Sequence, residues 1–186
     1  MKRLLDLILS VIALSLLCVP MLVIALLIKA TSAGPIFFCS SRVGRNNKLF
    51  NMYKFRSMVI DTPLVATDLL KNPSAVLTPI GSFLRTTSLD ELPQIFNILL
   101  GDMSFVGPRP ALFNQVDLIN LRTQLGVHEL MPGLTGWAQI NGRDDITIEK
   151  KVCFDKEYLT DHSFMLDIKI LWVTLVKVTF REGVSH

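Results

Sequence analysis

Cysteine and histidine are scarce in this 186-residue sequence, with three of each and none at metal-ligand spacing. An odd number of scattered cysteines argues against a disulfide framework and is typical of a reducing, cytoplasmic compartment. The same scatter argues against a zinc site, which would need Cys or His residues in closely spaced pairs. The chain also lacks internal repeats and low-complexity tracts. We therefore expect one folded domain besides any membrane segment.

Negative charge is absent from a long stretch of the chain. No acidic residue occurs from Leu7 to Ile60, although the stretch carries six basic residues: Lys29, Arg42, Arg45, Lys48, Lys54 and Arg56. Charge of one sign beside an apolar segment suits an anionic membrane surface or a phosphate-bearing ligand. Nucleic acid fits less well, because aromatic residues for base stacking are few and no nucleic-acid-binding motif accompanies the basic residues.

Charge of either sign is absent from the 22 residues Leu7–Ile28, a length that could cross a bilayer. Pro20 should kink or break a helix there into two pieces, each too short to span. A signal peptide is disfavoured by the length of the apolar region and by Lys29. A kinked transmembrane helix and a re-entrant hairpin both remain open. Basic residues on both flanks (Lys2, Arg3 and Lys29) favour the hairpin, because the positive-inside tendency would place both ends in the cytoplasm.

The remainder of the chain alternates between strand-like and helix-like segments. Ile36–Phe38 and Leu49–Phe55 are typical of short strands joined by a turn at residues 44–47. Leu92–Leu100 predicts a helix ended by Gly101. We therefore expect an α+β fold with a small β element.

The apolar segment Phe164–Arg181 carries lysines near one helical row, at Lys169 and Lys177, and an aromatic anchor at Trp172. This pattern predicts an amphipathic helix lying in the membrane interface. A core helix with snorkelling lysines fits the pattern equally well.

An adjacent pair of carboxylates, Asp90 and Glu91, is the strongest candidate for chemistry. Ser88 and Glu91 have the spacing of a capping box, but Pro93 allows a second interpretation in which the helix begins later. In either case the carboxylates lie at the positive end of a helix, which also attracts phosphate.

Five motifs, in order along the chain, resemble those of the bacterial sugar transferase family: Lys54-Phe55-Arg56-Ser57-Met58, Thr87–Gln94, Gly101–Ser104, Val106–Pro110 and Pro132–Trp137. These small monotopic phosphoglycosyl transferases initiate bacterial glycan assembly. The resemblance runs from Lys2 to Val178 and implies a re-entrant helix over residues 1–33. It also implies a catalytic domain over residues 34–186, with its active site at the cytoplasmic face of the inner membrane. One departure is Val19 before Pro20, where the family usually has serine; Ser15 or a neighbouring segment would have to compensate.

The resemblance also implies roles for individual residues. Asp90 is similar to the family nucleophile, and Glu91 to its partner in metal positioning or proton transfer. Both would hold Mg²⁺, which prefers oxygen ligands. The candidates for substrate binding are cationic: Arg109, Arg143, Lys54, Arg56 and Arg85. Arg109 and Arg143 rank first, because both follow turn-forming residues and a guanidinium grips phosphate bidentately.

The implied reaction transfers a phosphosugar from a UDP-sugar, expected to be N-acetylated, to polyprenyl phosphate. The implied surroundings are a lipid bilayer and, as a further expectation, a homo-oligomer. The product would initiate O-antigen, capsule, exopolysaccharide or glycoprotein assembly. Two alternatives stay open: a membrane-bound nucleotide-sugar hydrolase, and an inactive membrane scaffold of a glycan assembly complex.

Overall fold

The computed structural model describes residues 2–60, 62, 73–142 and 146–180. Arg143 and Arg181 lie outside the described residues. The helices are α1 (Lys2–Thr31), α2 (Gly81–Thr86), α3 (Gln94–Leu100), α4 (Val116–Gln124), α5 (Trp137–Asn141), α6 (Ile148–Asp161) and α7 (Phe164–Phe180). The strands are β1 (Phe37–Val43), β2 (Leu49–Phe55), β3 (Ser104–Val106), β4 (Ala111–Leu112) and β5 (Gly133–Thr135). This mixture of helix and sheet confirms the predicted class.

Strands β1 and β2 form an antiparallel hairpin, and β4 extends the sheet on the other side of β1. The predicted turn is confirmed: Asn46 and Asn47 adopt positive φ angles of 55° and 58°, a conformation that asparagine tolerates better than most residues. Strand β2 has the predicted bounds. Strand β1 continues well past the predicted Phe38, because pairing with β2 holds its polar residues in extended form.

Strands β3 and β5 form a parallel pair whose following loops lie together. The amide of Gly107 donates to the carbonyl of Thr135 (2.8 Å), and the amide of Gly133 donates to the carbonyl of Pro108 (2.9 Å). A Cβ atom on Gly107 would come within 2.2 Å of the Met131 carbonyl oxygen. Only glycine permits this approach, which fixes the loop that leads to Arg109.

Helix α3 is fastened to the edge of β2 by one fully buried side chain, Asn97. Its amide donates to the carbonyl of Asn51 (2.8 Å) and accepts from the backbone amide of Tyr53 (3.0 Å). The side chain thus takes the place of a neighbouring strand. Because Lys54 follows Tyr53 directly, these bonds also set its distance from the segment that precedes α3.

Both ends of α1 pack on the same folded body. At its start, Lys2 pairs with Asp167 of α7 (2.6 Å), and Ser104 of β3 donates to the carboxylate of Asp6 (3.0 Å). Near its end, Ile28 is fully buried in an apolar cluster with residues of α2 and β2, including Leu84. Residues near both ends of α1 are therefore in contact with the body that the other described elements form.

The middle of α1 presents an exposed apolar face. Its exposed large apolar residues are Leu4, Ile8, Val11, Ile12, Leu16, Val19, Leu22, Val23, Leu26 and Leu27. These positions recur at helical spacing, opposite the buried face. By length and composition α1 could cross a membrane, and 17% of its most apolar window is buried.

The helix runs through Pro20 as one continuous element, so the predicted break is wrong, whereas the kink stays a prediction. A proline at this position frees the carbonyl of Leu16, four residues earlier. The expected compensation by Ser15 is wrong, because its hydroxyl donates to the carbonyl of Val11 (2.9 Å) instead. The re-entrant path and the domain division at residue 33 stay predictions.

Helix α7 has one face in the core and another that is exposed and apolar, so it has features of both a core helix and an interfacial helix. Ile170 is fully buried, whereas Trp172 is 67% exposed. The two lysines face α5: Lys169 lies over the ring of Trp137 (5.4 Å), and Lys177 donates to the carbonyl of Ile140 (2.7 Å). One face of the helix belongs to the core, and its exposed apolar face stays available for the predicted membrane interface.

Candidate active site

The acidic pair lies in a short 3-10 turn, Leu89–Glu91, immediately before α3. The predicted capping box is wrong: Ser88 has a φ of 56° and makes no side-chain capping hydrogen bond. Instead its backbone carbonyl accepts from the amide of Glu91 (3.2 Å). Helix α3 begins at Gln94 after Pro93, whose fixed φ suits a helix start and whose missing N–H costs nothing there. The later of the two predicted helix starts is therefore confirmed.

Two cations hold the acidic pair from different elements. The ammonium of Lys54, on β2, lies 2.7 Å from Oε1 of Glu91 and 3.6 Å from Oδ2 of Asp90. Nη2 of Arg109 lies 2.9 Å from the same Glu91 oxygen. The fold thus gathers four residues from three segments that are distant in sequence.

The two carboxylates differ in protonation tendency. Burial raises the pKa of Asp90, and the charge of Glu91 raises it further, while Lys54 and Arg85 oppose the shift. Burial alone would also raise the pKa of Glu91, but Arg109 and Lys54 outweigh it and hold that pKa well below its usual range. Glu91 is therefore a fixed anion, and Asp90 is a buried carboxylate whose charge depends on nearby cations.

The remaining predicted cations lie in different surroundings. Arg85, in the last turn of α2, is close enough to Asp90 to lower its pKa. Arg56 is buried, and its guanidinium donates to the carbonyls of Ala33 and Ser32 and to the Ser32 hydroxyl (2.7 Å). These contacts fasten the segment that follows α1, and the substrate-binding role of Arg56 stays a prediction. So does that of Arg143, outside the described residues.

Arg42 is a further cation at the site that the sequence interpretation did not select. It pairs with Phe50 in the hairpin, whereas Lys54 pairs with Phe38, so both cations point to the same face of the sheet. Burial lowers the pKa of Arg42 to about 10, repulsion by Arg109 adds to this, and Glu91 opposes it. Two sequence signals could have identified Arg42: it lies in the acid-free stretch, and strand alternation places it on the same face as Lys54. The predicted β1 ended at Phe38, so the alternation did not extend to residue 42.

A buried ion pair supports the Arg109 loop from behind. Nη2 of Arg122 lies 2.6 Å from Oδ2 of Asp155, and Nη1 of Arg122 donates to the carbonyl of Arg109 (2.8 Å). Asp155 is 1% exposed, so removing its partner would leave a buried charge uncompensated. These residues position Arg109 and showed no motif of their own.

The acidic pair fits the predicted Mg²⁺ in donor type. Asp90 and Glu91 supply adjacent carboxylates, and Mg²⁺ keeps several waters and shares substrate phosphates rather than requiring a cage of protein ligands. Within the part of the chain that the structure describes, no group of three or more His, Cys, Asp or Glu residues could hold a metal. An Mg²⁺ ion held by the pair would take its remaining ligands from water and substrate phosphates.

Comparison with known proteins places this arrangement in a family. Residues 1–181 match the family model described as bacterial sugar transferase. The chain belongs to the bacterial sugar transferase family. Membership makes it a transferase by family and confirms the resemblance that the five motifs carried.

Similar bacterial sugar transferases include both short and long chains. The "Uncharacterized sugar transferase EpsL" of Bacillus subtilis (strain 168) is 42% identical over 187 residues, which cover 100% of this chain and 91% of EpsL. The "UDP-glucose:undecaprenyl-phosphate glucose-1-phosphate transferase" of Xanthomonas campestris pv. campestris is 46% identical over 188 residues, covering 95% of this chain and 38% of that protein. The "Undecaprenyl-phosphate galactose phosphotransferase" of Salmonella typhimurium is 38% identical over 201 residues, covering 98% of this chain and 41% of that protein. The chain thus spans about two fifths of the longer relatives.

Proposed function

We propose that the protein transfers a phosphosugar from a UDP-sugar to a polyprenyl phosphate through a covalent intermediate on Asp90. The observation that carries the proposal is the geometry of the acidic pair. Asp90 is buried at the start of α3, beside a charge-fixed Glu91 and within reach of cations from separate elements. Such a site suits a substrate that brings two phosphates to a carboxylate.

The first step forms the enzyme-bound phosphosugar. A carboxylate oxygen of Asp90 attacks the sugar-bearing phosphorus, and the bond from that phosphorus to the bridging oxygen breaks. The electron pair leaves with uridine monophosphate (UMP). In the second step an oxygen of the polyprenyl phosphate attacks the same phosphorus, and the Asp90 carboxylate is released. The products are a polyprenyl diphosphate sugar and UMP.

The surrounding charges support both steps. Lys54 and Arg109 bind Glu91 and are placed to meet phosphate oxygens as the anionic substrate approaches. Mg²⁺ held by Asp90 and Glu91 would neutralise diphosphate charge. Since Glu91 keeps its charge in this setting, it is better suited to holding a cation than to transferring a proton.

The contacts of α1 support the proposed membrane arrangement. A helix that crossed the bilayer would place its two ends on opposite sides, separated by about 30 Å of hydrocarbon. Here Lys2 and Ile28 both contact the same folded body. We therefore favour a re-entrant or partly embedded α1, with its exposed apolar face in lipid and the active site at the cytoplasmic surface of the inner membrane.

The names of the relatives bear on the identity of the donor sugar. The Xanthomonas and Salmonella relatives are named for glucose and galactose transfer, respectively. These names support an unmodified hexose at least as well as the N-acetylated hexose expected from the sequence. Initiation of a surface or exopolysaccharide remains the proposed role of the product.

The test separates the transferase from its alternatives by acceptor dependence. Purified full-length protein mixed with a UDP-sugar should release at most one equivalent of UMP until polyprenyl phosphate is added, and should then turn over. Continuous UMP release without lipid would identify a hydrolase. Absence of release across a panel of UDP-sugars would favour the scaffold. The Asp90→Asn variant serves as the chemically inactive control.

A further inference from the structure

The cations of the site come from separate elements. Lys54 lies 2.7 Å from Glu91 and 3.6 Å from Asp90, and Arg109 lies 2.9 Å from Glu91. Arg42 is fastened to the same loop as Arg109, because its guanidinium donates to the carbonyl of Pro110, the next residue.

Arg85 and Arg42 lie beside different apolar clusters. Arg85 follows Leu84, which packs in the apolar cluster with Ile24 and Ile28 of α1. Arg42 precedes Val43, which packs in a separate cluster that includes Ala111. Arg85 is therefore next to the cluster that contains the apolar helix, and Arg42 is next to the other cluster.

Arg42 itself is held in position without being neutralised. Its Nε donates to the hydroxyl of Ser40 (3.2 Å), and its Nη1 donates to the carbonyl of Pro110 (3.3 Å). Both acceptors are neutral, and within the described ranges no carboxylate lies within 4.0 Å of this guanidinium. A partly buried guanidinium beside Arg109 is costly unless an anion joins it. The reduced pKa of Arg42 has the same causes, burial and the neighbouring arginine.

We infer that Arg42, together with Arg109, binds the phosphate of the leaving nucleoside monophosphate. This inference rests on the proposed function and deepens it. The reacting phosphate must lie at Asp90, so the second phosphate lies one bridging oxygen away. Arg85 is next to the cluster that contains the apolar helix and suits the lipid acceptor. The soluble nucleotide therefore takes the side of Arg42 and Arg109, where two guanidiniums can share its phosphate oxygens.

Replacing Arg42 should weaken nucleotide binding, whereas replacing another arginine of the same hairpin should not. UMP binding is measured by calorimetry on the full-length protein in detergent. Arg42→Gln should raise the Kd for UMP roughly 10- to 100-fold, the usual effect of losing a charge-assisted phosphate contact. Arg45→Gln is the matched control, since it removes the same charge three residues away, where Nε donates to the carbonyl of Glu129. Its Kd should equal that of the unmodified protein.

The two half-reactions distinguish binding from a merely structural role. Arg42→Gln should slow formation of the phosphosugar adduct. Once the adduct is formed and UMP removed, transfer to polyprenyl phosphate should keep its normal rate. Equal losses in both half-reactions, or an unchanged Kd for UMP, would overturn the inference. If Arg42→Gln fails to fold, Arg42→Lys is measured instead: at least a threefold weaker UMP affinity supports the inference, and no change overturns it.

Failure of this inference can be told apart from failure of the proposed function. An unmodified protein that binds UMP and forms the adduct, while Arg42→Gln behaves identically, removes only the role of Arg42. An unmodified protein that neither binds UMP nor forms an adduct removes both.

Discussion

Replacing Asn97 with alanine should separate α3 from the edge of β2. The substitution removes the hydrogen bonds to the carbonyl of Asn51 (2.8 Å) and from the amide of Tyr53 (3.0 Å), together with a weaker one to Asp102 (3.3 Å). Each bond contributes about 1 kcal/mol, and a group left buried without a partner costs about 1–3 kcal/mol. The expected loss is therefore about 2–5 kcal/mol, a large part of the typical stability of a domain.

Thermal unfolding of the full-length protein in detergent, followed by circular dichroism, measures this loss. For a chain of this size each kcal/mol corresponds to about 2–4 °C, so Tm should fall by roughly 4–20 °C. Adduct formation should also slow below the new Tm, because Lys54 and the acidic pair lose their common support. The control is Asn141→Ala, which removes an exposed hydrogen bond to the carbonyl of Trp137 and should change Tm by no more than about 2 °C. A loss below about 1 kcal/mol for Asn97→Ala would refute the reasoning.

Three further predictions follow from the same contacts. Arg122→Met should destabilise the protein by about 3–5 kcal/mol, because it leaves Asp155 buried and unpaired. Burial raises the pKa of Asp155 and Arg122 opposes this, so the variant's folded-state pKa rises further above the unfolded value. Its stability deficit, measured by urea unfolding, should therefore grow as the pH rises above the pKa of Asp155 in the unmodified protein, and a constant deficit would contradict the assignment. Cysteines placed at Leu4 and Lys29, in a chain without its native cysteines, should both react with an impermeant thiol reagent from the cytoplasmic side; labelling from opposite sides would exclude the re-entrant arrangement. Arg85→Gln should slow transfer from the preformed adduct to polyprenyl phosphate more than adduct formation, and the reverse order would contradict its place beside α1.

Local sequence signals predicted the elements whose conformation is decided locally. The hairpin turn was predictable because Asn46 and Asn47 tolerate positive φ, and β2 because its residues favour strands. The extent of β1 was not, since Ser40 and Arg42 become strand residues only by pairing with β2. The sequence allowed two starts for α3, one capped by Ser88 and one at Pro93. It could not decide between them.

The site was predictable where a motif carried it. The motifs named Asp90, Glu91, Lys54 and Arg109, and the fold brings these four together. Arg56 belongs to the same motif as Lys54, but it lies past the end of β2, and its guanidinium binds the segment that follows α1. Asn97, Arg122 and Asp155 act through contacts between residues far apart in sequence, which only the tertiary structure reveals.

The central claim is that the carboxylate of residue 90 carries the phosphosugar between donor and acceptor. Intact-mass spectrometry of the full-length protein, incubated with a UDP-sugar and no lipid, tests it most directly. We predict a mass increase of one phosphosugar that maps to Asp90, disappears on addition of polyprenyl phosphate, and is absent from Asp90→Asn. An adduct that persists in Asp90→Asn, or efficient lipid-dependent transfer by that variant, would contradict the account.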